Sequence, residues 1–227
     1  AIALYKKSMA LQPPRKKHFE VMALTNIGTI FYKSGDRSKA IAYYREALGL
    51  LPEKRRSHYN LAVAYSQTGQ LDAAEGHLAW LLEKNPQDQA ALDLMALVKL
   101  KQHRWKESLQ YSRRLLQMAP EGRSPNLQIG PAYTHMNRAA RGNWFLERAY
   151  HANPGSLVTW LCRLENRLSA GDAGSAGRLA KAIIDRYSLD RITNALIADV
   201  NEVGYPEVLI AYLENEIRRI SRSVAKR

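Results

Sequence analysis

A chain of 227 residues with 46% hydrophobic and 24% charged side chains has the composition of an ordinary globular protein, with apolar material for one large core or two small ones. No run approaches the roughly 18 apolar residues of a membrane span, the N-terminus lacks a signal-peptide layout, and the single Cys162 excludes a disulfide framework or a multi-cysteine metal site. A formal net charge of +13 points to an acidic partner, whether nucleic acid, anionic membrane surface or acidic protein.

The predicted elements follow one another as helices. Residues 1–12, AIALYKKSMALQ, read as an amphipathic helix stopped by Pro13 and Pro14, and an opening without Met and in mid-pattern is expected of a piece of a longer protein. Arg15, Lys16 and Lys17 lead into an extended helix from about His18. From there the pattern is periodic. Pro52, Pro86, Pro120 and Pro154 stand 34 residues apart, and the same step links Gly35 to Gly69, Asn26 to Asn60, Ala40 to Ala74, and Phe31 to Tyr65, Lys99 and Tyr133. Within residues 21–54, Leu24, Ile27, Gly28 and Phe31 fall on a first helix. Gly35 and Asp36 make a turn, Ala40, Tyr44 and Ala47 fall on a second helix, and Pro52 closes it. Small residues let the paired helices approach, aromatics fill the space between pairs, and each proline ends a helix because it offers no backbone donor.

A 34-residue unit of this kind resembles the tetratricopeptide repeat family. The resemblance implies an all-α fold, a right-handed α-solenoid of stacked antiparallel helix pairs. Residues 1–20 then form the second helix of a truncated repeat plus a linker, and 21–54, 55–88 and 89–122 are repeats. Residues 123–156 and 157–190 are degenerate repeats, and 191–227 hold capping helices, broken at Gly204-Tyr205-Pro206, and a basic tail. The third repeat has His103 where the turn glycine would stand, and the fourth places Gly142 in a helix slot usually filled by alanine.

The chemistry expected is sparse. GDAGSAG at 171–177 lacks the Lys-Ser/Thr pair of a phosphate loop and reads as a helix–helix turn. His18, His58, His77, His103, His135 and His151 form no metal-spaced set, so no catalytic residue, metal or cofactor is expected. Trp80, Trp105, Trp144 and Trp160 fall at packing phases and read as core. The basic excess is spread over the repeats and reads as solvated outer faces.

The resemblance further implies that the first helices line a concave groove that holds a protein or peptide segment. The helix period places Asn26, Thr29 and Lys33, then Arg56, Tyr59, Asn60, Val63 and Gln67, then Asp93, Leu94 and Leu97, and finally Gln128 on that wall. Thr25, Ser66, Leu100, Thr134, Leu161, Cys162 and Glu165 share those phases. The wall is polar at first and apolar later. An amide can both donate to and accept from an extended backbone, so Asn26, Asn60 and Gln128 form part of a peptide-gripping ladder. The expected function is a non-catalytic protein-interaction scaffold for a segment whose acidity would match the net charge. Two alternatives are the soluble repeat region of a larger membrane-bound glycosyltransferase-like enzyme and a basic nucleic-acid-binding array, which the mixed groove disfavours. A second copy could cover the apolar wall at Leu94, Leu97 and Leu100. The expected location is the cytoplasm or periplasm, of bacterial type.

Overall fold

The computed structural model describes the backbone except at residues 11–15, 120–122, 189, 195–206 and 225–227, and the side chains except at 8–16, 120–124, 189, 195–208 and 220–227. The expected stops at Pro13-Pro14 and Pro120, the break at 204–206 and the end of the basic tail lie outside the described residues. The helices are α1 (Ile2–Ala10), α2 (Lys16–Lys33), α3 (Arg37–Leu50), α4 (Arg55–Gln67), α5 (Leu71–Lys84), α6 (Gln89–Lys101), α7 (Trp105–Met118), α8 (Arg123–His135), α9 (Ala139–Ala152), α10 (Leu157–Ser169), α11 (Ala173–Arg186) and α12 (Glu207–Val224). Residues 190–194 are also helical, and no strand occurs among the described residues. The fold is all-α, of the helix-pair solenoid class. The chain divides into two compact units, Ala1–Leu94 and Met95–Arg227.

Local chemistry sets the helix ends. Asp36 and Asp172 cap α3 and α11, each accepting from a backbone N–H three residues on at 3.0 Å. Such a cap satisfies a donor that the first turn would otherwise leave open. Leu51, Asn85 and Asn153 end α3, α5 and α9, and each precedes a proline. Their φ/ψ of −137°/89°, −142°/94° and −153°/85° are the extended backbone that a following proline ring imposes. The turn from first to second helix needs a left-handed residue. It falls at Gly35, Gly69, His103, Asn137 and Gly171, with φ of 90°, 75°, 59°, 58° and 71°.

In the N-terminal unit α2 and α3 approach closely because position 28 carries no side chain. A Cβ there would lie 2.6 Å from the Tyr44 ring and 3.2 Å from the Ala40 carbonyl oxygen. Tyr44 OH donates to Thr29 Oγ1 at 3.2 Å across the same pair. The next pair is joined by an aromatic stack: His58 lies flat on Trp80 with centroids 3.9 Å apart, and His77 lies flat on Tyr65 at 5.8 Å. The two imidazoles meet Nδ1 to Nδ1 at 2.9 Å, and His58 Nε2 reaches the Pro52 carbonyl oxygen at 2.8 Å. Burial first, and then His58, depress the His77 pKa to about 4, so His77 is neutral near pH 7.

In the C-terminal unit the core gathers Leu100, Ile129, Tyr133, Leu146, Trp160, Leu161, Leu164 and Ile183, with Leu209 and Leu213 of α12. Gly130 lies against Leu146, where a Cβ would come within 2.5 Å of the leucine side chain. Gly142 departs from the family's alanine for a local reason. A Cβ at 142 would stand 2.8 Å from Asn166 Nδ2, the Gly130 carbonyl oxygen and Thr134 Oγ1 alike. Asn166 uses that space to donate to Thr134 Oγ1 at 2.7 Å and to the Ala139 carbonyl oxygen at 2.9 Å, tying α10 to the preceding pair.

One reading changes. Trp144 is 55% exposed and is not core filler, because its position on α9 faces solvent and not α8 or α10. Lys99, in the slot of Phe31, Tyr65 and Tyr133, is buried along its stem, with Nζ 3.5 Å from Glu107 Oε2. A lysine fills an aromatic slot here because its methylene stem packs while the ammonium meets a carboxylate.

Candidate functional site

In the N-terminal unit the starts of α2, α4 and α6 border a hollow of about 770 Å³, lined by the cations Lys54, Arg55 and Arg56, the carboxylates Glu53 and Asp88, and His18 and Tyr59. A second hollow of about 380 Å³ shares His18 and Lys54 and is bordered by Phe19 and Met22. Those two apolar side chains are 45% and 46% exposed. A cationic end and an apolar shelf therefore adjoin. Asp88 is buried, caps α6 at Ala91 N and is ion-paired with Arg55, so its carboxylate is already satisfied. Tyr59 is half-buried, and burial, followed by Asp93 and Asp88, holds its phenol pKa above the usual value, which keeps it a hydrogen-bond donor at neutral pH.

Arg56 and Tyr59 of the expected groove set line the larger hollow. Asn26 and Asn60 are half-buried. Thr29 is also half-buried and occupied, donating to the Thr25 carbonyl oxygen at 2.9 Å while it accepts from Tyr44. Lys33 is exposed, Val63 and Asp93 are half-buried, and Gln67 Oε1 accepts from Arg37 Nε at 3.0 Å. Leu94 is 9% exposed. In the C-terminal unit Leu97 is half-buried, and Gln128 is buried with its Oε1 accepting from Ser112 Oγ at 3.0 Å.

Thr25 and Ser66, which share the groove phases, are packed inside. Thr25 Oγ1 donates to the Val21 carbonyl oxygen at 2.7 Å and sits 3.0 Å from Ser57 Oγ, so this face of α2 meets α4. Leu100, Thr134, Leu161, Cys162 and Glu165 are likewise buried. Glu165 Oε1 lies 3.2 Å from His135 Nε2 without the alignment of a hydrogen bond. Burial pushes the Glu165 carboxyl up to about 8, and burial, then His103, lowers the His135 pKa. The pair is thus neutral near pH 7, with His135 stacked on Trp105 at 4.4 Å. Sequence reasoning missed Phe19, which lies ahead of the repeat at residues 21–54, whereas its shelf partner Met22 falls inside that repeat at a groove-facing phase.

A family model described as Tetratricopeptide repeat matches residues 31–98. Residues 31–98 therefore carry the tetratricopeptide repeat. The chain is 40% identical over 53 residues to Photosystem I assembly protein Ycf3 of Cyanophora paradoxa, a match covering 23% of the chain and 31% of that relative. The chain therefore spans about a third of the length of the curated relative it matches. Among solved structures it resembles a tetratricopeptide repeat protein from Parabacteroides merdae, with a TM-score of 0.73 at 18% identity, covering 96% of this chain and 91% of that one. It also resembles MamA from Desulfovibrio magneticus, with a TM-score of 0.64 at 17% identity over 74% and 94% of the two chains. A third is YrrB, a repeat protein described as having an unusual peptide-binding site, with a TM-score of 0.61 at 15% identity over 88% and 99%. Identities this low establish the fold alone. The tetratricopeptide fold is that of a protein-interaction scaffold. Among the described residues no helix is long and apolar enough to cross a membrane, and no cluster of three metal-ligating side chains occurs.

Proposed function

We propose that the protein is a scaffold whose N-terminal unit holds a peptide segment of a partner protein along its wall of first helices. The adjoining hollows beside Arg56 and Tyr59 carry this reading, because they give a chain-sized space with a cationic end and an apolar shelf. A segment with carboxylates next to a large apolar side chain matches both features. Asn26 and Asn60 would grip its backbone, since each amide offers a donor and an acceptor. Lys33, Val63, Gln67, Asp93 and Leu94 would border it, while Leu97 and Gln128 are proposed partner contacts of the C-terminal unit. A described peptide site in YrrB supports the class of ligand.

A displayed peptide library selected on the chain tests this. Enriched segments are expected to combine acidic and large apolar residues. Asn26→Ala with Asn60→Ala, or Arg56→Glu, should weaken their binding about tenfold or more with helicity and melting unchanged. Binding that survives both changes would remove the groove assignment.

A further inference from the structure

A set of exposed cations of the C-terminal unit lies on the outward surface of its second helices. These helices, α7, α9 and α11, expose Lys106, Arg113, Arg114, Arg141, Arg178 and Lys181. Two carboxylates on the same helices are drawn into ion pairs. Glu107 is held by Arg104 and Lys99, and Glu147 accepts from Arg163 of α10 at 2.9 Å with Arg167 at 3.7 Å. Asp185 is the exposed exception. Two shallow hollows open among these cations: one of about 450 Å³ between Arg138 and Arg141, and one of about 460 Å³ beside Arg113, Arg114 and Tyr111.

Trp144 stands on this face, three residues from Arg141 and four from Arg148. The Arg148 guanidinium lies 4.9 Å from the centre of its ring, and Phe145 meets it edge-on at 4.7 Å. Thirty-four residues to either side the same position holds Gln110 and Arg178, so the adjacent repeats are polar where this one carries an indole. Leaving over half of a tryptophan in water forgoes much of the largest apolar burial any side chain can offer.

We propose that this face docks onto an anionic phospholipid surface, the arginine-lined hollows receiving headgroup phosphates and Trp144 entering the interfacial layer. The indole suits a boundary with one apolar and one wet side, and guanidinium groups pair with phosphate oxygens through parallel N–H bonds. Each cation brought to an anionic leaflet adds on the order of 1 kcal/mol, roughly fivefold in affinity, so several together bind without a deep pocket. One exposed indole across three helices makes no base-stacking track, which sets this face apart from a single-strand nucleic-acid groove. The assignment is independent of the peptide groove and stands or falls without it.

Co-sedimentation of the full chain with phosphatidylcholine vesicles, pure or with about one lipid in three replaced by phosphatidylglycerol, decides the matter. Binding is expected to the anionic vesicles alone, to weaken with salt, and to fall about tenfold or more on changing Arg113, Arg114 and Arg141 to Glu. Trp144→Ala should lower affinity and remove most of the vesicle-induced blue shift of tryptophan emission. Lys54→Glu with Arg56→Glu, in the other unit, should leave vesicle binding within about twofold, and circular dichroism should show all variants folded. Equal binding to neutral vesicles would overturn the proposal. So would an equal loss from the Lys54/Arg56 variant, which would signal net charge alone, or tight binding of a duplex oligonucleotide with none to vesicles.

Discussion

Glu165 shows at the scale of one residue how burial writes a pH dependence into the C-terminal unit. Only 4% of it is exposed, and the ionisable group facing it is His135, itself held neutral. The folded state keeps the Glu165 proton up to about pH 8, whereas the unfolded chain releases it near the ordinary glutamate value of 4.5. A carboxyl whose folded pKa is raised costs stability as pH climbs from the unfolded value toward the folded one. Glu165→Gln removes that titration, so its stability relative to the parent should rise by roughly 3 kcal/mol between about pH 5 and pH 8. His135 works in the opposite sense below its unfolded pKa, where the unfolded chain takes a proton that the buried ring refuses, but it does so in both proteins and drops out of the difference between them. Urea denaturation of both proteins across that range measures the difference. A gap that does not change with pH would mean that Glu165 does not titrate with a raised pKa.

The turn between α8 and α9 carries the clearest test at the scale of an element. Gly35, Gly69 and Gly171 were readable as turns from the period, and His103 stood visibly in a glycine slot. Asn137 belongs to the same series, with φ of 58°, yet gave no signal, because asparagine tolerates the left-handed region and needs no glycine to do so. Asn137→Gly should therefore leave stability unchanged or raise it by about 0.5 kcal/mol, while Asn137→Val should lower it by roughly 1–2 kcal/mol. Thermal melts separate the two, and a valine variant as stable as the parent would show that the turn carries no such demand. The same contrast explains what else was legible. Gly28 was visible as a close-approach position because a repeat preserves a contact at fixed phase. The meeting of His58 with His77, nineteen positions on, and the outward turn of Trp144 depend on which neighbour fills a space, and phase does not encode that. The groove set was legible only as a face. Phase could not distinguish Thr25, locked against Ser57, from Asn26 beside it, and Phe19 of the shelf lies ahead of the repeat that defined the phase.

Over the whole molecule, stability in such a chain is a sum of helix pairs and their immediate interfaces, with no single core whose loss is felt everywhere. The distinct apolar clusters of the two units, one around Val21, Leu24 and Ala47 and the other around Ile129, Leu146 and Leu161, fit that description. Gly28 and Gly130 are matched probes of it, since each leaves no room for a methyl group against the side chain opposite: Tyr44 in one unit and Leu146 in the other. Overpacking of this kind costs about 1–3 kcal/mol. If coupling runs mainly between neighbours, Gly28→Ala should speed amide hydrogen exchange in α2, α3 and α4 while α9, α10 and α11 keep nearly parental protection. Gly130→Ala should do the reverse. Exchange is the right measurement because it reports opening free energy segment by segment, whereas a melting curve merges them. Protection lost evenly along the chain in both variants would show one cooperative body instead. In that case a partner seated on the first helices of the N-terminal unit would stabilise α10 and α11 as much as α2 and α4.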